Sequence, residues 1–221
     1  MPLFYQHNIN ESTKLGVWHI VEPEDFFLAK VPLQHDITHP HKRLQHLAGR
    51  YLLRFLFPDF PNELIRIAST KKPFLPDEAF HFSISHCGDY AAAIVSRTNR
   101  VGIDIEIPTR KVARVRHKFL HAEELAIVEG EDAVFSLPDI ETENIFLRKL
   151  TLVWSAKEAV FKWYGNGEVN FSDQIRLQPF HDMAFMPETG KMTGLFLKEQ
   201  TRSLELPFVN FKEICLVWVM T

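Results

Sequence analysis

The most regular hydrophobic pattern in the chain lies between residues 40 and 58. Its apolar side chains recur at the i, i+3, i+4 and i+7 spacing of one helix face. They are Leu44, Leu47, Ala48, Tyr51, Leu52, Phe55 and Leu56. The pattern predicts an amphipathic helix that ends at Pro58, because proline cannot continue the helical hydrogen bonds. The same spacing predicts a helix from about Ala122 to Val128, and a long helix over Asn144–Tyr164 that ends at "GNG".

Shorter apolar runs predict strands, and each is bounded by turn-forming residues. The first three runs are Phe80–Ile84, Tyr90–Ser96 and Val101–Ile107. From Val169 onward the stretches "VNFSDQIRL" and "EICLVWVM" predict strands, and "MAFMPETGKMTGLFLK" predicts a hairpin. The acidic, proline-containing segment 129–143 predicts a loop. Together these elements predict an α+β fold.

Two acidic side chains interrupt the apolar run "VGIDIE", residues 101–106. Successive side chains of a strand point to opposite faces, so Asp104 and Glu106 share the face opposite Ile103 and Ile105. Two neighbouring carboxylates repel each other unless a cation lies between them. The pattern therefore indicates either a solvated edge or half of a metal site.

A second cluster of charge lies in "WSAKEAVFK", residues 154–162. Within a helix, Trp154, Glu158 and Lys162 share one face, and Glu158 and Lys162 have the order of an ordinary surface ion pair. Trp154 argues against a fully solvated face, and Lys157 adds a second cation. Oxygen ligands of this kind suit Mg²⁺, which often completes its shell with phosphates. Spacing alone does not show whether this helix and the Asp104 strand meet.

The stretches "SISHCGDY" and "TKKPF" contain the third group of candidate residues. Ser85 and His86 enter a tight turn at Gly88, where hydroxyls, an imidazole and backbone N–H groups can bind an anion. Lys72 precedes a proline that holds its backbone extended. The alternative is an ordinary polar turn and a solvated loop lysine.

In this order and at this spacing, "TKKPF", "FSISHCGDY", "VGIDIE" and "WSAKEAVFK" resemble the motifs of the 4'-phosphopantetheinyl transferases. The longer, surfactin-synthetase-type branch is the more similar one, and "FLHAEEL", residues 119–125, looks like a further family segment. The resemblance runs from about Arg43 to Lys162. It implies a monomer of two similar α/β halves related by pseudo-twofold symmetry, each a small antiparallel sheet packed by helices. Residues 1–100 would form the first half, and residues 101–221 the half that carries the metal site.

The resemblance implies transfer of the 4'-phosphopantetheine arm of coenzyme A to a serine of an apo-carrier protein, with release of 3',5'-adenosine bisphosphate. Asp104, Glu106 and Glu158 match the acids that hold Mg²⁺ on the pyrophosphate of coenzyme A. Glu158 is also a candidate base for the serine hydroxyl. Lys162 matches the lysine that stabilises or protonates the departing phosphate, and Lys157 is expected against the pyrophosphate.

The nucleotide and its 3'-phosphate are expected in the N-terminal half. The matching positions are Lys72, Ser83, Ser85 and His86, with a looser match at Arg43 and Arg50. This chain departs from many relatives at Ser83, where they have asparagine, and at Cys87, where they have serine.

Five basic residues and no acid lie in "TRKVARVRHKFLH", residues 109–121. They are Arg110, Lys111, Arg114, Arg116 and Lys118. Carrier proteins present acidic helices around the modified serine, so this stretch is a candidate docking site. A solvated basic loop that balances segment 129–143 is the alternative. A second alternative site, zinc at His35, His39 and His41 in "HDITHPH", is disfavoured because Pro40 interrupts the helix that it would need.

Composition narrows the possible functions. The chain has 221 residues, is 46% hydrophobic and carries a net charge of −3, so it is not a general polyanion binder. It shows no signal-peptide pattern and no apolar run near the ~20 residues that cross a bilayer. Together with the family resemblance, these features lead us to expect a cytoplasmic enzyme with no nucleic-acid or membrane partner. The alternatives are a catalytically silent relative that binds coenzyme A or a carrier protein, and another Mg²⁺-dependent phosphoesterase.

Overall fold

The structure is a computed structural model that describes residues 2–33, 37–129, 140–178 and 187–221. The strands are β1 (Leu3–Asn10), β2 (Thr13–His19), β3 (Arg66–Ile67), β4 (Pro73–Phe74), β5 (His81–Cys87), β6 (Tyr90–Ser96), β7 (Val101–Glu106), β8 (Ile175–Leu177), β9 (Thr189–Phe196), β10 (Arg202–Asn210) and β11 (Cys215–Met220). The helices are α1 (Glu24–Leu28), α2 (Pro40–Leu56), α3 (Arg110–Val115), α4 (Ala122–Glu129), α5 (Ile140–Tyr164) and α6 (Phe171–Gln174). These elements confirm the predicted α+β class with antiparallel sheets.

Contacts divide the chain into two units. The first contains the residues up to Ile105 together with Lys162–Asn166 and Met220–Thr221. The second contains Glu106–Phe161 and Gly167–Val219. Strand β7 and helix α5 each pass from one unit into the other, so Asp104 and Lys162 lie in the first unit, whereas the last residue of β7 lies in the second.

The first unit is built on an antiparallel sheet in the order β1-β2-β6-β5. Helix α2 packs its apolar face on β6 and β5, and Leu47 and Leu52 are completely buried there. Gly49 allows this close approach, because a Cβ atom at that position would lie 2.7 Å from Cγ2 of Ile84. Residues of the chain end return to this unit, where Arg100 and Thr221 exchange two backbone hydrogen bonds.

The second unit contains neighbouring strands in the order β11-β10-β9-β8. The register of β10 on β9 is regular over eight residue pairs, from Arg202 opposite Phe196 to Val209 opposite Thr189. Helices α3, α4 and α6 and most of α5 belong to the same unit. Aromatic rings of three segments meet in it, because Trp154 lies 5.1 Å from Phe119 and 5.7 Å from Phe171 between ring centroids.

Most predicted elements are confirmed, and several boundaries differ. Helix α5 begins at Ile140, four residues before the predicted start, so the last residues of the predicted acidic loop are helical. The stretch predicted as the strand "VNFSDQIRL" opens with helix α6, because the Asn170 side chain accepts hydrogen bonds from the amides of Ser172 and Asp173. The basic stretch contains helix α3 and a 3-10 turn at Arg116–Lys118, whereas the alternative interpretation of its sequence was a solvated loop.

Parts of two predictions lie outside the described residues: segment 130–139 of the acidic loop and the first strand of the predicted hairpin. Strand β10 was not predicted as a strand, since Pro207 interrupts its apolar pattern. Within the part of the chain that the structure describes, no helix combines the length and the apolar character needed to cross a lipid bilayer.

Candidate active site

Asp104 is the centre of a hydrogen-bonded cluster in the first unit. Its side chain is only 2% exposed, so the solvated edge that the sequence left open does not describe it. The Ser85 hydroxyl donates to Oδ1 at 2.8 Å, and the Lys162 ammonium donates to the same oxygen at 2.6 Å. The Lys162 ammonium also donates to Ser85 Oγ at 2.9 Å, which closes a triangle of polar contacts.

The second oxygen of this carboxylate, Asp104 Oδ2, is buried and has no hydrogen-bond partner among the described residues. An unpaired carboxylate oxygen in a buried position is costly unless a ligand or a cation satisfies it. This oxygen fits a divalent cation, because Mg²⁺ prefers carboxylate oxygen ligands. Across the residues described, no three His, Cys, Asp or Glu side chains are grouped as a complete cation site.

Strand β5 places the predicted serines and histidine on alternating faces. Ser83 and Ser85 are buried, and Ser83 Oγ accepts the backbone N–H of Ile103 at 3.2 Å. These hydroxyls therefore join β5 to β7. The His86 side chain is exposed on the other face. Desolvation by neighbouring groups and then the charge of Lys162 lower its pKa, which favours the neutral imidazole at pH 7.

A cavity of about 540 Å³ lies beside His86 in the first unit, and we call it the Arg50 cavity. Its lining residues are His46, Arg50, Ile67, Lys71, Pro73, Ile84 and His86. Arg50 is buried, and its Nε and Nη1 atoms have no partner among the residues described. Burial lowers the pKa of Arg50 to about 10, so the guanidinium still carries its charge at neutral pH. Among the residues that the structure describes, the lining has no acidic side chain, which suits an anion.

Part of this cavity was not predicted from the sequence. Lys71 and His46 line it, whereas Lys72, the predicted nucleotide ligand, does not. The Lys72 ammonium instead donates to the Trp163 carbonyl at 3.4 Å. Arg43, the other loosely matched arginine, is engaged elsewhere, because its Nε donates to Glu24 at 2.8 Å. Two consecutive lysines in a loop give no sequence signal for which of them faces a ligand.

In the second unit, Glu106 and the tryptophan of "WSAKEAVFK" are in contact. Trp154 Nε1 donates to Glu106 Oε1 at 3.4 Å. Glu158 lies one helical turn after Trp154 and is partly buried, and Lys162 follows one turn later. The common helix face predicted for Trp154, Glu158 and Lys162 therefore agrees with the structure, since all three lie in α5.

Lys157 has a different position from the one expected. Its side chain is 0% exposed, and its three donors reach Glu124 Oε2 at 2.5 Å, the Phe119 carbonyl at 2.7 Å and the Phe171 carbonyl at 3.0 Å. Burial lowers the pKa of Lys157 to about 8, against the opposing effect of the Glu124 charge. The ammonium has no hydrogen left for a phosphate, so the expected pyrophosphate contact finds no support in the structure.

Glu124 is the acid that receives this lysine. Its Oε2 also accepts the backbone N–H of His121 at 2.8 Å, and its Oε1 accepts the backbone N–H of Leu177 at 2.7 Å. One buried carboxylate therefore joins the start of α4, strand β8 and helix α5. Glu124 and Phe119 both belong to the "FLHAEEL" segment, and both accept hydrogen bonds from Lys157. These internal contacts account for the two residues in that sequence pattern.

The basic stretch is partly paired. Arg110 forms a two-pronged ion pair with Glu143, at 2.6 and 2.7 Å, which raises the pKa of the arginine. Arg116 donates to the Ala113 carbonyl within the same segment. The side chains of Lys111, Arg114 and Lys118 are exposed and remain the candidates for docking.

Of the histidines considered for zinc, His35 lies outside the described residues, and His41 Nε2 lies 3.1 Å from the Gly88 carbonyl.

Comparisons with known proteins bear on the family that the chain resembles. Residues 100–207 match the family model described as the 4'-phosphopantetheinyl transferase superfamily. Enterobactin synthase component D of Salmonella austin is 32% identical over 155 residues, which are 70% of this chain and 55% of that protein. The 4'-phosphopantetheinyl transferase HetI of Nostoc sp. is 29% identical over 152 residues, covering 63% of this chain and 60% of the relative.

A third relative, the 4'-phosphopantetheinyl transferase AcpT of Escherichia coli (strain K12), is 33% identical over 126 residues, which are 56% of this chain and 59% of that protein. The chain thus spans a little more than half the length of the curated relatives it matches. The family model includes Asp104, Glu106, Glu158 and Lys162 but not the β4 and β5 residues. On these matches, the chain is similar to the 4'-phosphopantetheinyl transferase superfamily, and the family model covers residues 100–207.

Proposed function

We propose that the protein transfers the 4'-phosphopantetheine arm of coenzyme A to a serine of an apo-carrier protein in a Mg²⁺-dependent reaction. The observation that carries the proposal is the Asp104 cluster. One oxygen of a buried carboxylate is held by Lys162 and Ser85, and the other has no partner among the residues described. Phosphoryl transfer depends on positioning and charge neutralisation, and this cluster offers both.

Asp104, Glu106 and Glu158 are the proposed metal ligands. The support for Asp104 is its unpartnered Oδ2 atom, and the support for the two glutamates is their place in "VGIDIE" and "WSAKEAVFK". A bound Mg²⁺ would neutralise part of the pyrophosphate charge. Trp154 contacts the Glu106 carboxylate and limits its freedom to turn away.

Glu158 and Lys162 are the proposed catalytic residues. The serine oxygen attacks the phosphorus that carries the pantetheine arm, and Glu158 accepts the hydroxyl proton, directly or through water. The bond from that phosphorus to the bridging oxygen breaks, and 3',5'-adenosine bisphosphate leaves. Lys162 stabilises or protonates the departing phosphate. It is only partly exposed, which strengthens its interaction with an anion.

The Arg50 cavity is the proposed place of the 3'-phosphate of coenzyme A. Support comes from the buried guanidinium of Arg50, the adjacent Lys71 and the exposed His86. Ser83 and Ser85 contribute by fixing β5, the strand that carries His86, to β7. The nucleotide role expected for Lys72 remains a prediction from the family resemblance.

The acidic surface of a carrier protein is proposed to contact the basic stretch through Lys111, Arg114 and Lys118. All three side chains are exposed. Complementary charge mainly accelerates the encounter and selects the partner, so this surface should affect carrier recognition rather than the chemical step. We also propose that the active form is a cytoplasmic monomer.

The experiment is a mass-spectrometric assay of an apo-carrier protein incubated with the chain, coenzyme A and Mg²⁺. We expect a mass gain equal to one phosphopantetheine arm, which chelation of the metal abolishes. Glu158→Gln should abolish the gain while circular dichroism stays unchanged. Glu205→Gln, an exposed glutamate paired with Lys191, is the matched control and should retain activity.

The assay also separates the alternatives. Binding of coenzyme A without a mass gain on several apo-carriers would identify a catalytically silent relative. Near-normal turnover by Glu158→Gln would contradict the assignment of Glu158 as base and metal ligand.

A further inference from the structure

A second cavity in the first unit contains Lys72, whose nucleotide role is a prediction from the family resemblance, and no other residue of the proposed reaction lines it. It has a volume of about 500 Å³ and lies beside β4 and the start of β5. Its apolar wall includes Phe74, Phe80 and Phe82, and its polar lining includes Lys72 and Arg100. We call it the Lys72 cavity.

The two cations of this cavity are not neutralised by a carboxylate. Lys72 donates to the Trp163 carbonyl at 3.4 Å, and Arg100 donates to the Tyr164 carbonyl at 2.8 Å and lies 5.6 Å from the centre of the Trp163 ring. Neither cation forms an ion pair in the described part of the chain. Glu78 is the one acid among the described lining residues, and no ion pair joins it to Lys72 or Arg100 there.

Burial and the neighbouring charge of Arg100 both lower the pKa of Lys72, to about 8. Two like charges that destabilise each other in a partly desolvated cavity would be stabilised by an anion placed between them. The charge arrangement therefore favours an anionic ligand over a neutral one.

The absence of a side chain at Gly165 leaves room for the Lys72 side chain. The φ angle of Gly165 is +74°, and a Cβ atom there would lie 2.5 Å from the Lys72 Nζ atom. Only glycine combines that backbone conformation with space for the ammonium. The lysine is thus held towards the cavity by close contacts as well as by its hydrogen bond.

We propose that the Lys72 cavity is a binding site for a small organic carboxylate with an apolar body. The carboxylate lies between Lys72 and Arg100, and the apolar body lies against Phe74, Phe80 and Phe82. Pro73 lines both this cavity and the Arg50 cavity, so an occupant here contacts the same short strand from another side. The site does not depend on the transferase activity.

The test is a titration of the whole chain with benzoate. Isothermal titration calorimetry measures the affinity, and backbone amide NMR shifts locate the site. We expect saturable binding with shifts at Phe80 and Phe82. Benzamide, the neutral analogue, should bind more weakly by about tenfold or more, because it lacks the charge that pairs with the two cations. This comparison needs no variant and is therefore independent of folding.

Two variants locate the charge requirement. Arg100→Gln should weaken benzoate binding about tenfold or more, whereas Arg66→Gln, an exposed arginine in the adjacent β3 that does not line the cavity, should leave it unchanged. Equal binding of benzamide, unchanged binding by a folded Arg100→Gln, or shifts confined to the Arg50 cavity would overturn the proposal. Displacement of benzoate by coenzyme A would assign the cavity to the nucleotide and would overturn it too. Failure of phosphopantetheine transfer would leave these outcomes unaffected.

Discussion

The buried Lys157–Glu124 pair allows a sharp test of the internal role that the structure gives to Lys157. In Lys157→Met the apolar stem is kept and the ammonium is removed. The Glu124 carboxylate, 5% exposed, then stays in the interior without its cation. Removing one partner of a buried ion pair typically costs about 3–5 kcal/mol. We expect a loss of that size in the free energy of unfolding.

The control is the same substitution in an exposed pair. Lys191 and Glu205 are 3.2 Å apart, with side chains 65% and 73% exposed. Such surface pairs contribute about 0–1 kcal/mol, so Lys191→Met should change stability very little. Urea denaturation measures both variants, with the m-value as the check that the transition keeps its character.

A double variant identifies the cause of the loss. Glu124→Gln combined with Lys157→Met leaves no charge in the interior. The amide oxygen can still accept from the Leu177 N–H, although the His121 N–H then loses its acceptor, so the double variant should recover part of the loss and be more stable than Lys157→Met alone. A loss below about 1 kcal/mol for Lys157→Met would refute the reasoning. If Lys157 instead contacts the pyrophosphate, Lys157→Met weakens coenzyme A binding and leaves stability nearly unchanged.

Three further predictions concern the charged groups of the proposed sites. Lys162→Met should lower the kcat of transfer about a hundredfold or more, because it removes a preorganised cation at the phosphate. Lys191→Met is the control and should leave kcat unchanged. An unchanged kcat of Lys162→Met in steady-state kinetics would remove Lys162 from the mechanism. Arg114→Glu should raise the KM for the carrier protein and leave the KM for coenzyme A unchanged. The control is Arg202→Glu, at an exposed arginine of β10. An equal rise in both KM values would exclude docking at Arg114. Since burial lowers the pKa of Lys72 to about 8, benzoate affinity should fall as pH rises through that value; calorimetry from pH 6.5 to 9.5 that shows a constant affinity would contradict the role of its charge.

The sequence pattern was sufficient for helix α2 and for strands β5, β6 and β7. The apolar residues of α2 follow one helical period, and each of the three strands contains an apolar run bounded by turn-forming residues. Strands with mixed signals were not. Strand β10 has Pro207 in its centre, and only its pairing with β9, Pro207 opposite Lys191, shows that the strand continues through the proline. Such pairing is a long-range property that local periodicity does not contain.

For the candidate site, the sequence identified two motifs whose charged residues suit the same phosphate chemistry. The carboxylate of "VGIDIE" and the last lysine of "WSAKEAVFK" are hydrogen-bonded at Asp104 and Lys162, although 58 positions separate them. The Arg50 cavity was harder to predict. Arg50 lies in the centre of an amphipathic helix, where an arginine is normally taken as part of the solvated face. The structure buries it, and Asn62, which follows the helix, donates to its backbone carbonyl.

The two lysines of "WSAKEAVFK" show how helix geometry separates residues of the same type. Lys157 and Lys162 are five positions apart, and at about 100° per residue their side chains point roughly 140° away from each other. They therefore cannot both face one ligand from a straight helix. Lys162 donates to Asp104, whereas Lys157 donates to Glu124 and to two backbone carbonyls. Because Glu158 and Lys162 are four positions apart, they remain on one face, and the chemistry proposed here needs only that face. The motif thus places two things within about one and a half turns of helix. One is an internal cation that holds neighbouring segments together, and the other is the Glu158–Lys162 pair that we propose for phosphate chemistry.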